Sequence, residues 1–160
     1  MRLFIQSIIY SLVFILVSTN ILSSQNSNYH NKEIGGELAL GPRVGGVAGI
    51  SLKKYAINNY YAFEAVASFG LFTKDKGVRV NVLFEKIKSL SDNEKLSAIF
   101  GGGVGMRLDP GKIGAAGILG FDWRISKKIN MQIDAQPTWL FFDELFGWNA
   151  GYTVRYNLNS

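Results

Sequence analysis

The sequence predicts an all-β protein, eight antiparallel strands in up-and-down order closed into a barrel. Three observations predict it. From Glu33 to Leu158 the chain alternates between apolar and polar residues, the two-residue period of strands whose successive side chains face opposite ways. Clusters of Gly, Asn, Asp and Pro interrupt this alternation at short, regular intervals. No amphipathic helix of useful length lies between the clusters, so consecutive strands pair as antiparallel neighbours and not as βαβ units. Eight such strands close into a small barrel.

Residues 1–24 precede this pattern and read as a signal peptide. Arg2 is a short positive region, Leu3 to Val17 is nearly all apolar, and Ser18, Thr19, Asn20, Ser23 and Ser24 supply the small polar end. An uncleaved anchor is disfavoured, because the apolar run is shorter than the roughly 20 residues that span a bilayer. Residues 25–32 are a polar lead-in without period, and residues 33–160 form the barrel domain.

The first strand runs from Glu33 to Gly41, with Ile34, Gly36, Leu38 and Leu40 opposite Gly35, Glu37 and Ala39; Gly41–Pro42–Arg43 breaks it. The second, Gly45 to Tyr55, sets Ala48, Ile50 and Leu52 against Gly49, Ser51 and Lys53, and ends at an Ile57–Asn58–Asn59 turn. The third, Tyr60 to Gly70, sets Tyr61, Phe63, Ala65, Ala67 and Phe69 against Glu64, Val66 and Ser68; Thr73 to Gly77 is a charged loop. In the fourth, Val78 to Lys88, the alternation puts Val80, Val82 and Phe84 against Arg79, Asn81, Leu83 and Glu85. The fifth, Lys95 to Leu108, puts Phe100, Val104 and Met106 against Gly101, Gly103, Gly105 and Arg107, and stops at Asp109–Pro110–Gly111, a turn with Pro and Gly at its two central positions.

The last three strands carry the clearest pattern. From Lys112 to Ser126, Ile113, Ala115, Gly117, Leu119, Phe121 and Trp123 oppose Gly114, Ala116, Gly120, Asp122 and Arg124, with Ile118 the one large apolar intruder. From Ile129 to Phe141, Met131, Ile133, Ala135, Pro137 and Trp139 oppose Asn130, Gln132, Asp134, Gln136 and Thr138. Pro137 cannot donate to the ladder, which predicts a local bulge. From Trp148 to Leu158, Ala150, Tyr152, Val154 and Tyr156 oppose Asn149, Gly151, Thr153, Arg155 and Asn157.

The two faces differ in bulk. The polar face is mostly Gly, Ser, Asn and Thr; the apolar face is Phe, Trp, Tyr, Ile and Leu. A water-soluble barrel would place the bulky face inside and leave an outside unusually poor in charge. A membrane barrel places it outside, against lipid. The charges on the polar face are near balance. Glu37, Glu64, Glu85, Asp122 and Asp134 stand against Lys53, Arg79, Arg107, Arg124 and Arg155. Buried charges must be paired, so a lumen network is expected of Glu37, Glu64, Arg79, Glu85, Arg107, Asp122, Arg124, Asp134 and Arg155, with Asp122 near Arg124 and Asp134 near Arg155. Aromatics gather at both strand ends: Tyr55, Tyr60, Tyr61, Trp123 and Tyr156 at one, and Phe69, Phe72, Trp139, Phe141, Phe142, Phe146 and Trp148 at the other. Two such belts suit rings seated at the two membrane interfaces.

The stretches Gly114 to Trp123, Ile129 to Pro137 and Gly151 to Tyr156 resemble the closing hairpins of small outer-membrane β-barrel proteins of Gram-negative bacteria, of the eight-stranded, OmpA/OmpX-like type. That resemblance implies an eight-stranded transmembrane barrel in the cell outer membrane with both termini in the periplasm. Its partners would be outer-membrane lipid and the barrel-assembly machinery. The expected role is structural or surface-interacting, with no open pore. The alternative is a soluble periplasmic, lipocalin-like barrel binding an apolar ligand.

Other chemistries find little footing. The chain has no cysteine, which excludes a disulfide scaffold, a thiolate metal site and a cysteine nucleophile. A lone His30 in a polar segment makes no metal set. Gly101–Gly102–Gly103–Val104–Gly105 lacks the helix and the Lys-Ser/Thr ending of a phosphate loop; its glycines instead leave room for arginine side chains from neighbouring strands. The net charge of +5 is scattered, without the clustered basic face of a nucleic-acid binder. No enzyme activity and no cofactor are expected.

Overall fold

The computed structural model describes residues 36–56, 60–70, 77–91, 95–109, 111–141 and 145–159. The expected leader and lead-in lie outside these residues. So do the residues before Gly36, the Ile57–Asn59 turn, most of the loop before Gly77, Phe72, Phe142, Pro110 and the Asp143–Glu144 loop. Eight strands form: β1 (Leu38–Gly45), β2 (Ala48–Tyr55), β3 (Tyr61–Phe69), β4 (Val78–Ser89), β5 (Leu96–Arg107), β6 (Lys112–Arg124), β7 (Ile129–Leu140) and β8 (Leu145–Asn157). Each pairs antiparallel with its sequence neighbours, and β1 pairs with β8 to close the barrel.

Register fixes the barrel's dimensions. Stepping from Ala39 through partners Lys53, Glu64, Leu83, Gly103, Ala116, Thr138 and Gly147, the β8–β1 register then points to position 49. The circuit therefore returns ten residues further along β1 than it left. With strands about 4.8 Å apart and a rise of about 3.3 Å per residue, that stagger tilts them by about 41° and sets a backbone radius of about 8 Å. Such a barrel has room for its own side chains and little more.

Two expectations about proline need correction. Pro42 does not end the first strand: β1 runs through it, with Pro42 opposite Ile50 of β2. Only the β8 side lapses, where paired positions skip from Leu40–Tyr156 to Arg43–Thr153. The missing N–H thus interrupts one ladder and spares the other. Pro137 makes no bulge. The β6–β7 register is the same on both sides of it, and Pro137 sits opposite Trp148 in an unbroken β7–β8 ladder. Gly117 explains this tolerance, since a Cβ there would lie 3.2 Å from the Pro137 ring.

The glycines of β5 also serve a different purpose from the expected one. A Cβ at Gly101 or Gly103 would lie 2.0 or 1.9 Å from a carbonyl oxygen of β4. Their role is close backbone approach where the sheet bends. Room for an arginine is made instead by Gly151, where a Cβ would lie 2.6 Å from Arg43 Cζ. At the turn after β5, Gly111 takes the positive φ of 74° that a glycine there permits.

Burial follows the alternation around the barrel. The bulky apolar side chains lie outside and the polar ones inside. Leu119, Ile133 and Trp148 are 67%, 62% and 69% exposed, whereas Ser51, Lys53, Glu85 and Gln136 are fully buried. The lumen is not uniformly polar. Leu83, Ile87, Ile99, Ala116 and Ile118 form an apolar wall on β4, β5 and β6, while Arg43, Lys53, Glu64, Asp134 and Arg155 stand on β1, β2, β3, β7 and β8, facing Glu85 of β4 and Asp122 of β6.

Candidate functional site

The lumen is the only densely functionalised region among the described residues. Inward-facing positions, odd on β1, β2, β4, β5 and β8 and even on β3, β6 and β7, meet there because the register keeps all inward-facing rows in step. Lys53 of β2 reaches across to β6, its Nζ 3.0 Å from Asp122 Oδ2, and donates to Gln132 Oε1 at 2.8 Å. Its Nζ also lies 2.7 Å from Glu85 Oε2, an ion pair aligned off the hydrogen-bond direction. Tyr55 donates its hydroxyl to Asp122 at 2.8 Å and accepts from the Asn130 amide at 2.7 Å.

A second knot lies beside the first. Arg155 pairs with Glu64, donates its Nε to Ser51 at 2.8 Å and an Nη to Gln132 at 2.9 Å. Ser51 donates to Glu64 at 2.6 Å, and the Gln132 amide donates to Glu64 at 3.1 Å and to Asp134 at 2.9 Å. Arg43 closes the set with a two-pronged contact to Asp134, at 2.5 and 2.7 Å, and a 3.3 Å bond to Thr153. Gln132 is the junction, touching Lys53, Arg155, Glu64 and Asp134.

The pairing differs from the sequence expectation. Asp122 pairs with Lys53 and not with Arg124; Asp134 pairs with Arg43, and Arg155 with Glu64. Same-strand or adjacent-strand proximity loses to reach across the lumen. Within this central network the charges are not one to one. Arg43, Lys53 and Arg155 face Glu64, Glu85, Asp122 and Asp134, so Lys53 is shared between two carboxylates.

Arg124 and Glu37 meet at the end where β1 begins, 3.3 Å apart, with the Asn157 amide also donating to Glu37 at 2.9 Å. Burial pushes the Glu37 carboxyl above its ordinary range, and the Arg124 charge opposes that. Arg79 and Arg107 make contacts of their own. They line a cavity at the opposite end.

The expected network lacked several participants. Arg43 sits in the apparent break at Pro42. Lys53 counts among the polar-face bases but not in the expected network. Tyr55, assigned to an aromatic belt, is 3% exposed and inside. Gln132, with Ser51, Asn130 and Thr153, is placed by sequence only on a polar face. Parity was the available signal, since Ser51, Lys53 and Tyr55 share one face of β2, and Arg43 shares a face with Ala39 once β1 is carried through Pro42.

Outside, Tyr60, Tyr61, Trp123 and Tyr156 are exposed near the Glu37 end. Phe69, Trp139, Phe141, Phe146 and Trp148 are exposed near the other, where Trp139–Phe141 and Phe146–Trp148 make edge contacts at 6.5 and 5.7 Å. Phe84 stacks on Tyr61 at 5.4 Å and tilts against Phe63 at 5.1 Å, so rings climb from the Tyr61 end toward mid-height.

A closed eight-stranded sheet with a bulky apolar outside and an ion-paired inside is the architecture of transmembrane β-barrels. Solved structures agree on the fold. The N-terminal β-barrel domain of Pseudomonas aeruginosa OprF superposes with a TM-score of 0.62 at 10% identity, covering 78% of this chain and 98% of that one. A de novo designed transmembrane β-barrel superposes with a TM-score of 0.56 at 13% identity, over 78% of this chain and 97% of the design. No family model and no curated protein matches the sequence.

Proposed function

We propose that this chain is an outer-membrane barrel with a structural or surface-interaction role, non-catalytic, and closed to solute flow. The observation that carries this reading is the inversion of the barrel. Water-soluble proteins rarely expose contiguous apolar patches beyond a few hundred Å², yet Leu40, Phe63, Phe100, Leu119, Phe121, Ile133 and Trp139 are all exposed around this sheet. Strands of 8 to 13 residues, tilted as above, give a band on the order of the 25 Å expected of such barrels. The alternative of an interior apolar-ligand site has little support, because the lumen centre is ionic.

Closure to solute rests on bonds that cross the barrel's width. Lys53–Asp122 joins β2 to β6, and Glu64–Gln132 joins β3 to β7, strands half a circuit apart. The lumen is thereby spanned along two diameters by charged and amide groups held to one another.

The test is fractionation of cells expressing the full chain, with gel migration before and after boiling. The protein is expected in the outer membrane, extracted only by detergent, with heat-shifted migration. Leu119→Arg separates the readings further. At 67% exposure it would leave a soluble barrel undisturbed, but facing lipid near mid-membrane it costs roughly 2–4 kcal/mol and lowers the inserted fraction. A soluble, detergent-free monomer indifferent to Leu119→Arg refutes the proposal.

A further inference from the structure

The barrel wall is not equally tall all round. β1 and β2 have 8 residues each, whereas β6 and β8 have 13. At the tilt set by the register each residue climbs about 2.5 Å along the barrel axis, so the β1–β2 wall is about 18 Å tall and the β6 and β8 walls about 30 Å. A tight turn bounds the short pair. Gly46–Val47 carries β1 into β2, and the Gly46 N–H donates to the Ala150 carbonyl of β8 at 3.1 Å. The β1–β8 ladder stops at Gly45–Gly151, while β8 itself extends to Leu145. Neighbouring tilted strands are offset by about 3 Å, so with the Glu37–Arg124 end as the bottom, β8 tops out about 12 Å above β1.

The outward chemistry follows the same step. On β2 only Ala48, Ile50 and Leu52 present apolar side chains outward before Lys54 takes the next outward position. On β6 the outward row runs from Ile113 to Trp123 without a charge. The upper aromatic belt is one-sided as well. Trp139, Phe141, Phe146 and Trp148 stand on β7 and β8 or just beyond, whereas β1 and β2 end outward in Val44 and Ala48. Rings of the kind that seat at a membrane interface are thus absent from the upper end of β1 and β2, among the described residues.

We propose, resting on the membrane reading above, that the β1–β2 face thins the lipid layer beside it, bringing headgroups and water down to the Gly46–Val47 turn, while the β6–β8 face holds the layer at full thickness. A wall of about 18 Å falls about 7 Å short of the 25 Å band expected of such barrels. Lipid-exposed turns do not occur inside hydrocarbon, so on this side the layer ends where the turn does. A spanning segment shorter than the hydrocarbon is accommodated by local thinning at a modest cost per Å. The partner of this face is the bilayer itself, its acyl chains short or compressed.

Two labels at one height test this. Stepping around the sheet from Ala39 to Ala116 climbs about 16 Å, equal to about six residues of β1, so Gly46 and Ala115 stand level. The chain has no cysteine, so a nitroxide on Gly46→Cys or Ala115→Cys is unique. A Cβ at Gly46 meets nothing nearer than 3.7 Å. The full chain is folded into dioleoylphosphatidylcholine vesicles, and collision of each nitroxide with oxygen and with a water-soluble nickel chelate gives its depth. The Gly46 label is expected about 7 Å shallower than the Ala115 label, and the difference is expected to shrink in dilauroylphosphatidylcholine, whose hydrocarbon is thinner. Where Gly46→Cys fails the heat-shift check of folding, Ala48→Cys replaces it; it sits lower on the wall than Ala115, so a flat layer would make it the deeper of the two. Equal depths for Gly46 and Ala115, both in hydrocarbon, overturn the proposal and leave the membrane reading standing. Both labels in water overturn the membrane reading and this proposal with it. Spin–spin broadening at Gly46 would mean that a second copy covers the face, which also overturns the proposal.

Discussion

Replacing Lys53 with methionine is the sharpest test of how the lumen is held. The substitution keeps the length of the side chain and removes its charge. Lys53 is fully buried, with Glu85 at 2.7 Å and Asp122 at 3.0 Å. Breaking a buried ion pair by deleting one partner costs about 3–5 kcal/mol, because the other charge stays buried without compensation. Here two carboxylates lose one cation, so the upper part of that range applies, a shift of roughly a thousandfold or more in the folding equilibrium. Urea unfolding in lipid vesicles, followed by the fluorescence of the outward-facing Trp123, Trp139 and Trp148, measures it. The triple variant Lys53→Met, Glu85→Gln, Asp122→Asn removes all three charges and should recover most of the loss. Two results would refute the reasoning: Lys53→Met unfolding within about 0.5 kcal/mol of the parent, or a triple variant no more stable than the single one. Either would mean that water, and not the protein, solvates these carboxylates.

Further outcomes follow from single contacts. Gly151→Ala should displace Arg43 from Asp134, since the added carbon would lie 2.6 Å from Arg43 Cζ; a loss of roughly 2–4 kcal/mol is expected by urea unfolding, whereas Gly46→Ala, with nothing nearer than 3.7 Å, should cost under about 1 kcal/mol. At Glu37 the carboxyl titrates above its ordinary value of 4.5, so the folded state binds the proton more tightly than the unfolded chain does. Its contribution to stability is therefore greatest below 4.5 and falls as pH rises through and above that value; Glu37→Gln should flatten this part of the stability–pH profile, and an unchanged profile would remove Glu37 as its source.

The fold was legible because parity is local. A strand's two-residue period shows in any ten residues, and all eight strands were found by it, Leu119 and Asp122 falling on opposite faces of β6 as the alternation required. Partners were not legible, because they depend on register and diameter. Asp134 finds Arg43, 91 positions away in sequence, only because the stagger brings β1 and β7 to one height. Proline misled twice for one reason. Its missing N–H is a defect in a ladder only on the side toward which that N–H would point, and which side that is depends on pairing. Tyr55 misled because an aromatic at a strand end suits a membrane interface as well as a lumen; only its place in step with Ser51 and Lys53 decides between them.

The ten-residue return of the register has a consequence for how such a chain can change. Ten is even, so inward rows meet inward rows when the sheet closes on itself. One residue added to or lost from any strand would make the return odd. Somewhere on the circumference a charged row would then have to lie beside a greasy one, turned to the wrong medium. Length changes within the strands are therefore expected to survive only in compensating pairs, and single insertions only in the turns. The wall has a handed arithmetic, and mutation within it is free in chemistry but constrained in count.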